Sequence, residues 1–174
     1  MQLNRRAVLV GAAAAATTAA VTATVAGAPA ASAASSYLIA LRSRGSGLFV
    51  RTMPNTDLLV ADTTRPVGID GWFELRWLGL AGRGGPVYWA LFARGSNKFV
   101  CAENAGASPL IANRGAADIW EQFYLFSDAE GSFALQARIN NGFVRCGPAQ
   151  QNLVADQTTA DAWSSYDIVL QSIA

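Results

Sequence analysis

Three short segments end alike in a side chain able to bind or orient a polar group: "DLLVADT" at 57–63, "SPLIANR" at 108–114 and "QNLVADQ" at 151–157. Each runs through aliphatic residues and an alanine to Asp or Asn, so that Asp62, Asn113 and Asp156 share one recurring position. A carboxylate or amide there can accept hydrogen bonds from two adjacent hydroxyls of a saccharide, the chemistry of a shallow sugar site. The same residue types at a strand exit also close Asx-turns onto backbone N–H groups two residues on. Glu103 and Asn104, in "CAENAG", are candidates of another kind. "RTMPN" and "RCGPA" hold no acidic counterpart, so a site built on them would be peculiar to one copy.

Two further sets recur. Trp72, Trp120 and Trp163 stand before the last apolar run of each copy and read as equivalents. An indole face can stack on a sugar ring, but it can equally close the end of a barrel, and packing is the expected role. Arg44, Arg94 and Arg138 could clamp a carboxylate bidentately, or stand as solvated charges at strand ends. The chain contains no histidine, which removes Ser-His-Asp and Cys-His nucleophile arrangements and the usual zinc sites. Twelve Asp and Glu leave a glycosidase-type acid–base pair open by count, though no spacing singles one out. The expectation is a protein that is not an enzyme and uses no cofactor or metal.

The elements that must position these residues follow from the repetition. Copies run about 37–80, 87–128 and 131–172, with Leu41, Leu91 and Leu135 in register, as are Phe49, Phe99 and Phe143. In the second copy "VYWALFA", "KFVCAE", "PLIAN" and "EQFYLF" are β-branched or aromatic runs, separated by Gly/Asn/Asp/Ser turn chemistry. No segment sustains a helical apolar stripe. Four strands repeated three times are too few blades for a propeller. They fit an all-β fold, a β-trefoil with pseudo-threefold symmetry, whose shared barrel hides its strand edges. The repeated phenylalanines and leucines are expected to fill its core.

At the front, "MQLNRRAVLVGAAAAATTAAVTATVAGAPAASA" has a basic head, an apolar stretch and Ala31-Ser32-Ala33, the form of a secretory signal peptide cleaved after Ala33. Arg5-Arg6 hints at the twin-arginine route. The expected product, residues 34–174, is a single secreted domain, and eleven basic against twelve acidic residues leave it nearly neutral. That balance offers no footprint for nucleic acid or, once the signal is removed, for a membrane surface. Cys101 and Cys146 could pair outside the cell, which would contribute roughly 4 kcal/mol. They stand one residue out of register between copies, and two buried thiols are expected instead.

The second copy, "NKFVCAENAGASPLIANRGAADIWEQFYLF", resembles the repeat of fascin-like domains, with its "AEN", "PLIANR" and "WEQF". The resemblance spans nearly the whole chain after the signal. It weakens in the third copy, where "WSSY" replaces "WEQF". It implies a β-trefoil, and the family's name suggests actin or another filament as partner. The residues themselves point first to a secreted, non-catalytic, lectin-like protein, monomeric, with a polysaccharide or glycan as partner. On that reading Asp62, Asn113, Asp156, Glu103 and Asn104 contact the ligand. A protein-interaction module is the alternative, with Val67 and Ile69 of "TTRPVGIDG" as the only apolar loop tip.

Overall fold

The computed structural model describes residues 36–80, 85–147 and 151–171. The signal-type segment and the cleavage point at Ala33 lie outside the described residues. Twelve strands follow one another in three sets of four. The first set is β1 (Ser36–Ser43), β2 (Phe49–Thr52), β3 (Leu59–Thr63) and β4 (Phe73–Leu80). The second is β5 (Val87–Ala93), β6 (Lys98–Cys101), β7 (Ile111–Arg114) and β8 (Phe123–Ser127). The third is β9 (Phe133–Ala137), β10 (Phe143–Arg145), β11 (Val154–Gln157) and β12 (Ser165–Leu170).

The outer strands of each set close a ring: β1 pairs with β4, β4 with β5, β5 with β8, β8 with β9, β9 with β12 and β12 with β1, all antiparallel. Closure leaves this six-stranded barrel without a free edge. The inner strands form three hairpins, β2–β3, β6–β7 and β10–β11. Three backbone hydrogen bonds join the hairpins in a cycle. Leu59 N–H donates to Leu110 O at 3.0 Å, Leu110 N–H to Leu153 O at 2.8 Å, and Leu153 N–H to Leu59 O at 2.9 Å. A six-stranded barrel capped by three hairpins about one axis is a β-trefoil.

The threefold pattern has a local cause in the turn after each first strand. Gly47, Asn97 and Asn141 adopt φ of 70°, 58° and 57°. Their N–H groups return to Ser43, Ala93 and Ala137 at 2.8–2.9 Å. Glycine and asparagine are the residues that enter this left-handed region most readily. Inside the barrel the register sets Phe73 against Ala93, Phe123 against Ala137 and Tyr166 against Ser43. One layer thus alternates three large rings with three small side chains, and all six are buried. The Tyr166 hydroxyl donates to Val144 O at 3.1 Å, which satisfies the one polar atom these rings bring inside.

Two expectations are corrected here. Phe49, Phe99 and Phe143 are half-buried, and the core residue is the valine after each: Val50, Val100 and Val144 are 0% exposed. Successive strand residues face opposite sides, so the valine turns inward and the ring outward, while the β-bulge opposite each Phe-Val pair lies on the partner strand. There the rings pack on neighbours, as Phe99 does against Phe92 at 5.0 Å between centroids, with the Arg76 guanidinium 3.7 Å from the Phe92 centroid.

The tryptophan alignment also shifts in the first copy. Ala102 N–H donates to Trp120 O and Cys146 N–H to Trp163 O, whereas Thr52 N–H donates to Asp70 O. Asp70 is therefore the counterpart of the two tryptophans, and Trp72 lies two residues further on. Both cysteines are buried and free. Cys146 Sγ lies 2.7 Å from Ser43 Oγ, while Cys101 faces the region described next.

Candidate functional site

Asp62, Asn113 and Asp156 occupy the bulges themselves. Phe49 pairs with Thr63 and Val50 with Ala61, and the other copies skip Asn113 and Asp156 in the same way. An unpaired bulge residue can aim its side chain away from the ladder. Asp62 uses both oxygens on Arg51, at 2.8 and 2.6 Å, and Asp156 both on Arg145, at 2.7 and 2.9 Å. Neither closes an Asx-turn, and neither carboxylate is open. Cys101 replaces that arginine in the second copy, and Asn113 Nδ2 donates instead to Glu103 Oε1 at 3.0 Å. The three residues lie in different hairpins and do not converge. Asp62→Ala is expected to lower stability by about 1 kcal/mol, as for a bidentate pair at a partly shielded surface. Urea denaturation measures this; an unchanged midpoint would remove the pair from the account of stability.

The recurring arginines tie copies together. Arg44 N–H donates to Ser165 O, Arg94 N–H to Trp72 O and Arg138 N–H to Gln122 O. Their guanidinium groups reach Asp167 and Glu130, Glu74, and Gln122, respectively. Burial acts to raise the Glu74 carboxyl, but hydrogen bonds from Arg76 and Arg94 outweigh it and hold the group below the ordinary carboxylate range.

A pocket of about 570 Å³ opens on the second copy, and both Glu103 and Asn104 line it. They follow β6, where a short 3-10 turn (Asn104–Gly106) begins. Arg114 comes from the end of β7. Asp118, Trp120 and Glu121 come from a second such turn (Ile119–Glu121), which Asp118 and Glu121 close as a capping box. Glu121 Oε2 accepts from Asp118 N–H at 2.8 Å, and Asp118 Oδ1 from Ile119 N–H at 2.7 Å. With its carbonyl held by Ala102, Trp120 is half-buried beside the opening. Asp118, Trp120, Glu121 and Arg114 are the lining residues that sequence reasoning passed over as site members. The Asp-x-x-Glu spacing in "DIWE" was the available signal.

Arg114 Nη2 donates to Glu103 Oε1 at 2.8 Å, and its Nε lies 3.7 Å from Glu121 Oε1. The Cys101 thiol is pushed up to about 12, by burial first and then by the hydrogen bond and charge of Glu121, against partial relief from Arg114. A thiol held protonated is no nucleophile at neutral pH. The site offers hydrogen-bonding and stacking groups around an open depression.

The third copy repeats the arrangement on a smaller scale. Arg145, Cys146, Gly147, Gln157, Asp161 and Trp163 line a pocket of about 190 Å³. Its turn is closed by Ser164 Oγ, which accepts from Asp161 N–H at 2.8 Å. Trp163 packs closely on Gly45, where a Cβ would come 2.6 Å from its ring. The first copy carries Gly68 and Asp70 at the positions of Asp118 and Trp120, and so has no indole there.

No protein-family profile matches the sequence, and no curated protein matches it. Solved structures do. A designed threefold-symmetric protein, ThreeFoil, is similar at 18% identity with a TM-score of 0.62, over 76% of this chain and 97% of its own. A Caenorhabditis elegans protein of unknown function is similar at 9% identity with a TM-score of 0.61, over 78% of this chain and 94% of its own. At such identities the likeness establishes the fold alone, an all-β trefoil of three four-stranded repeats.

Proposed function

We propose that this protein is a secreted, non-catalytic, lectin-like protein whose main saccharide site is the pocket of the second copy. The observation that carries the reading is the pairing of a half-buried Trp120 with polar side chains around one open depression. An indole face with a few oriented hydrogen-bonding groups is the chemistry that holds a sugar ring. Trp163 and Asp161 offer a second, smaller site, and linkage of two weak sites on one polymer raises retention. Asp62 and Asp156 support the hairpins and are not ligand contacts on this reading.

Retention on insoluble polysaccharides and on a glycan array tests the proposal. Trp120→Ala is expected to weaken retention about tenfold, the equivalent of roughly 1.4 kcal/mol of lost stacking. Trp163→Ala is expected to weaken it less. Failure of the wild-type protein to bind any glycan would sink the proposal.

One observation favours the alternative, a protein-interaction module of the fascin-like kind. Tyr37, Trp77 and Leu170 are 48%, 42% and 61% exposed at the barrel end opposite the hairpins. Cosedimentation with actin filaments tests that reading, and the substitution Trp77→Ser should abolish any pelleting.

A further inference from the structure

Resting on the saccharide reading above, we infer that the pocket around Trp120 selects an amine-bearing sugar, a glucosamine unit in a polysaccharide, over its acetylated or hydroxyl counterpart. Glu103, Asp118 and Glu121 face a single cation, Arg114, across the pocket lining. That arginine is already engaged by Glu103 and Glu121, and Glu121 is itself 3% exposed and committed to the capping turn. Among the described residues Glu103 Oε2 has no hydrogen-bond donor, because both bonds its side chain accepts fall on Oε1, while the exposed Asp118 carboxylate accepts from the backbone N–H groups of Ile119 and Glu121.

An ammonium group carries three donors and a charge that Glu103 Oε2 and the Asp118 carboxylate of the same lining complement. The indole face beside them adds a cation–π attraction. A uronic or sulfated sugar would meet the same carboxylates as repulsion.

The other copies show that the trefoil does not require this chemistry. Gly147 and Met53 stand where Glu103 does, and Gln157 and Thr63 where Arg114 does. Asp118 corresponds to Asp161 in the third copy but to Gly68 in the first. The first copy builds the same hairpin and turn with neutral side chains at all three positions, and the third keeps only Asp161, as a turn cap, so the trefoil itself calls for no carboxylate at the place of Glu103.

Isothermal titration with three β-1,4-linked tetrasaccharides tests the inference, since glucosamine, N-acetylglucosamine and glucose units differ only at C2. The glucosamine tetramer, with its amines protonated, is expected to bind about tenfold more tightly than either other sugar. Glu103→Gln with Asp118→Asn should erase that preference, and asparagine still caps the turn so that the pocket keeps its fold. Glu130→Gln removes one negative charge from a distant loop and should preserve the preference. Equal binding of all three sugars by the wild-type protein, or a preference that survives the double substitution, overturns the inference and leaves the saccharide reading standing. No binding to any tetramer overturns the inference, while the polysaccharide panel decides the broader reading separately.

Discussion

Phe123→Ala is expected to lower stability by about 3–5 kcal/mol, the range for removing a large ring from a packed core. Phe123 is 0% exposed and sits in the barrel layer where Phe73 and Tyr166 are its threefold counterparts. Its neighbours across the ladder are backbone-dense strands, and the small residues between the rings cannot move in to fill the space. The loss should appear as a fall in melting temperature of at least about 10 °C for a domain of this size. Phe126→Ala removes the same ring from the same strand at a position 45% exposed, and should cost far less. Similar losses for the two substitutions would mean that the aromatic layer does not hold the barrel together.

Gly106→Ala should cost about 2–4 kcal/mol, through two effects that controls can separate. Gly106 has φ of +82°, and a Cβ there would lie 2.2 Å from Asn140 Nδ2 and 2.7 Å from Ala155 O. The second and third copies meet at this point. Asn140 donates to the same Ala155 carbonyl at 2.7 Å and accepts from Gly142 N–H at 2.8 Å, so it cannot yield without losing both bonds. Gly131 has φ of +80° with nothing within 4 Å of its added Cβ, so Gly131→Ala isolates the backbone cost, about 1 kcal/mol. Chemical denaturation of the two variants gives the difference. If Gly106→Ala were no worse than Gly131→Ala, the close approach between copies would be disproved. A displaced Gly106 would also move Asn104 at the pocket rim, so weaker glycan retention should accompany the lost stability.

Much of the fold was legible because its determinants are local and occur three times. Alternating apolar runs, turn residues such as Asn97 and Asn141, and the echoed Leu-Val-Ala-Asp pattern each specify a strand or a turn within a few residues. Repetition then fixes four strands per copy, and three copies can bury their edges only by closing on one another.

What the sequence could not decide depends on partners distant along the chain. Alternation says only that the Phe and Val of each pair face opposite sides, and the docked strands decide that the valine is the buried one and the ring lies outside the core. Trp72 matches the other tryptophans by eye, yet only the bond from Thr52 N–H to Asp70 O shows which residue occupies their place. Asp62 and Asp156 looked open because their arginines stand 11 residues away, across the bulge. The pocket joins Glu103, on one side of the hairpin, to Asp118 beyond the other. Residue type and period announce an element, but which side chains share a surface is settled when strands pair and hairpins dock. Those contacts involve residues far apart in sequence, and that is where the candidate site was decided.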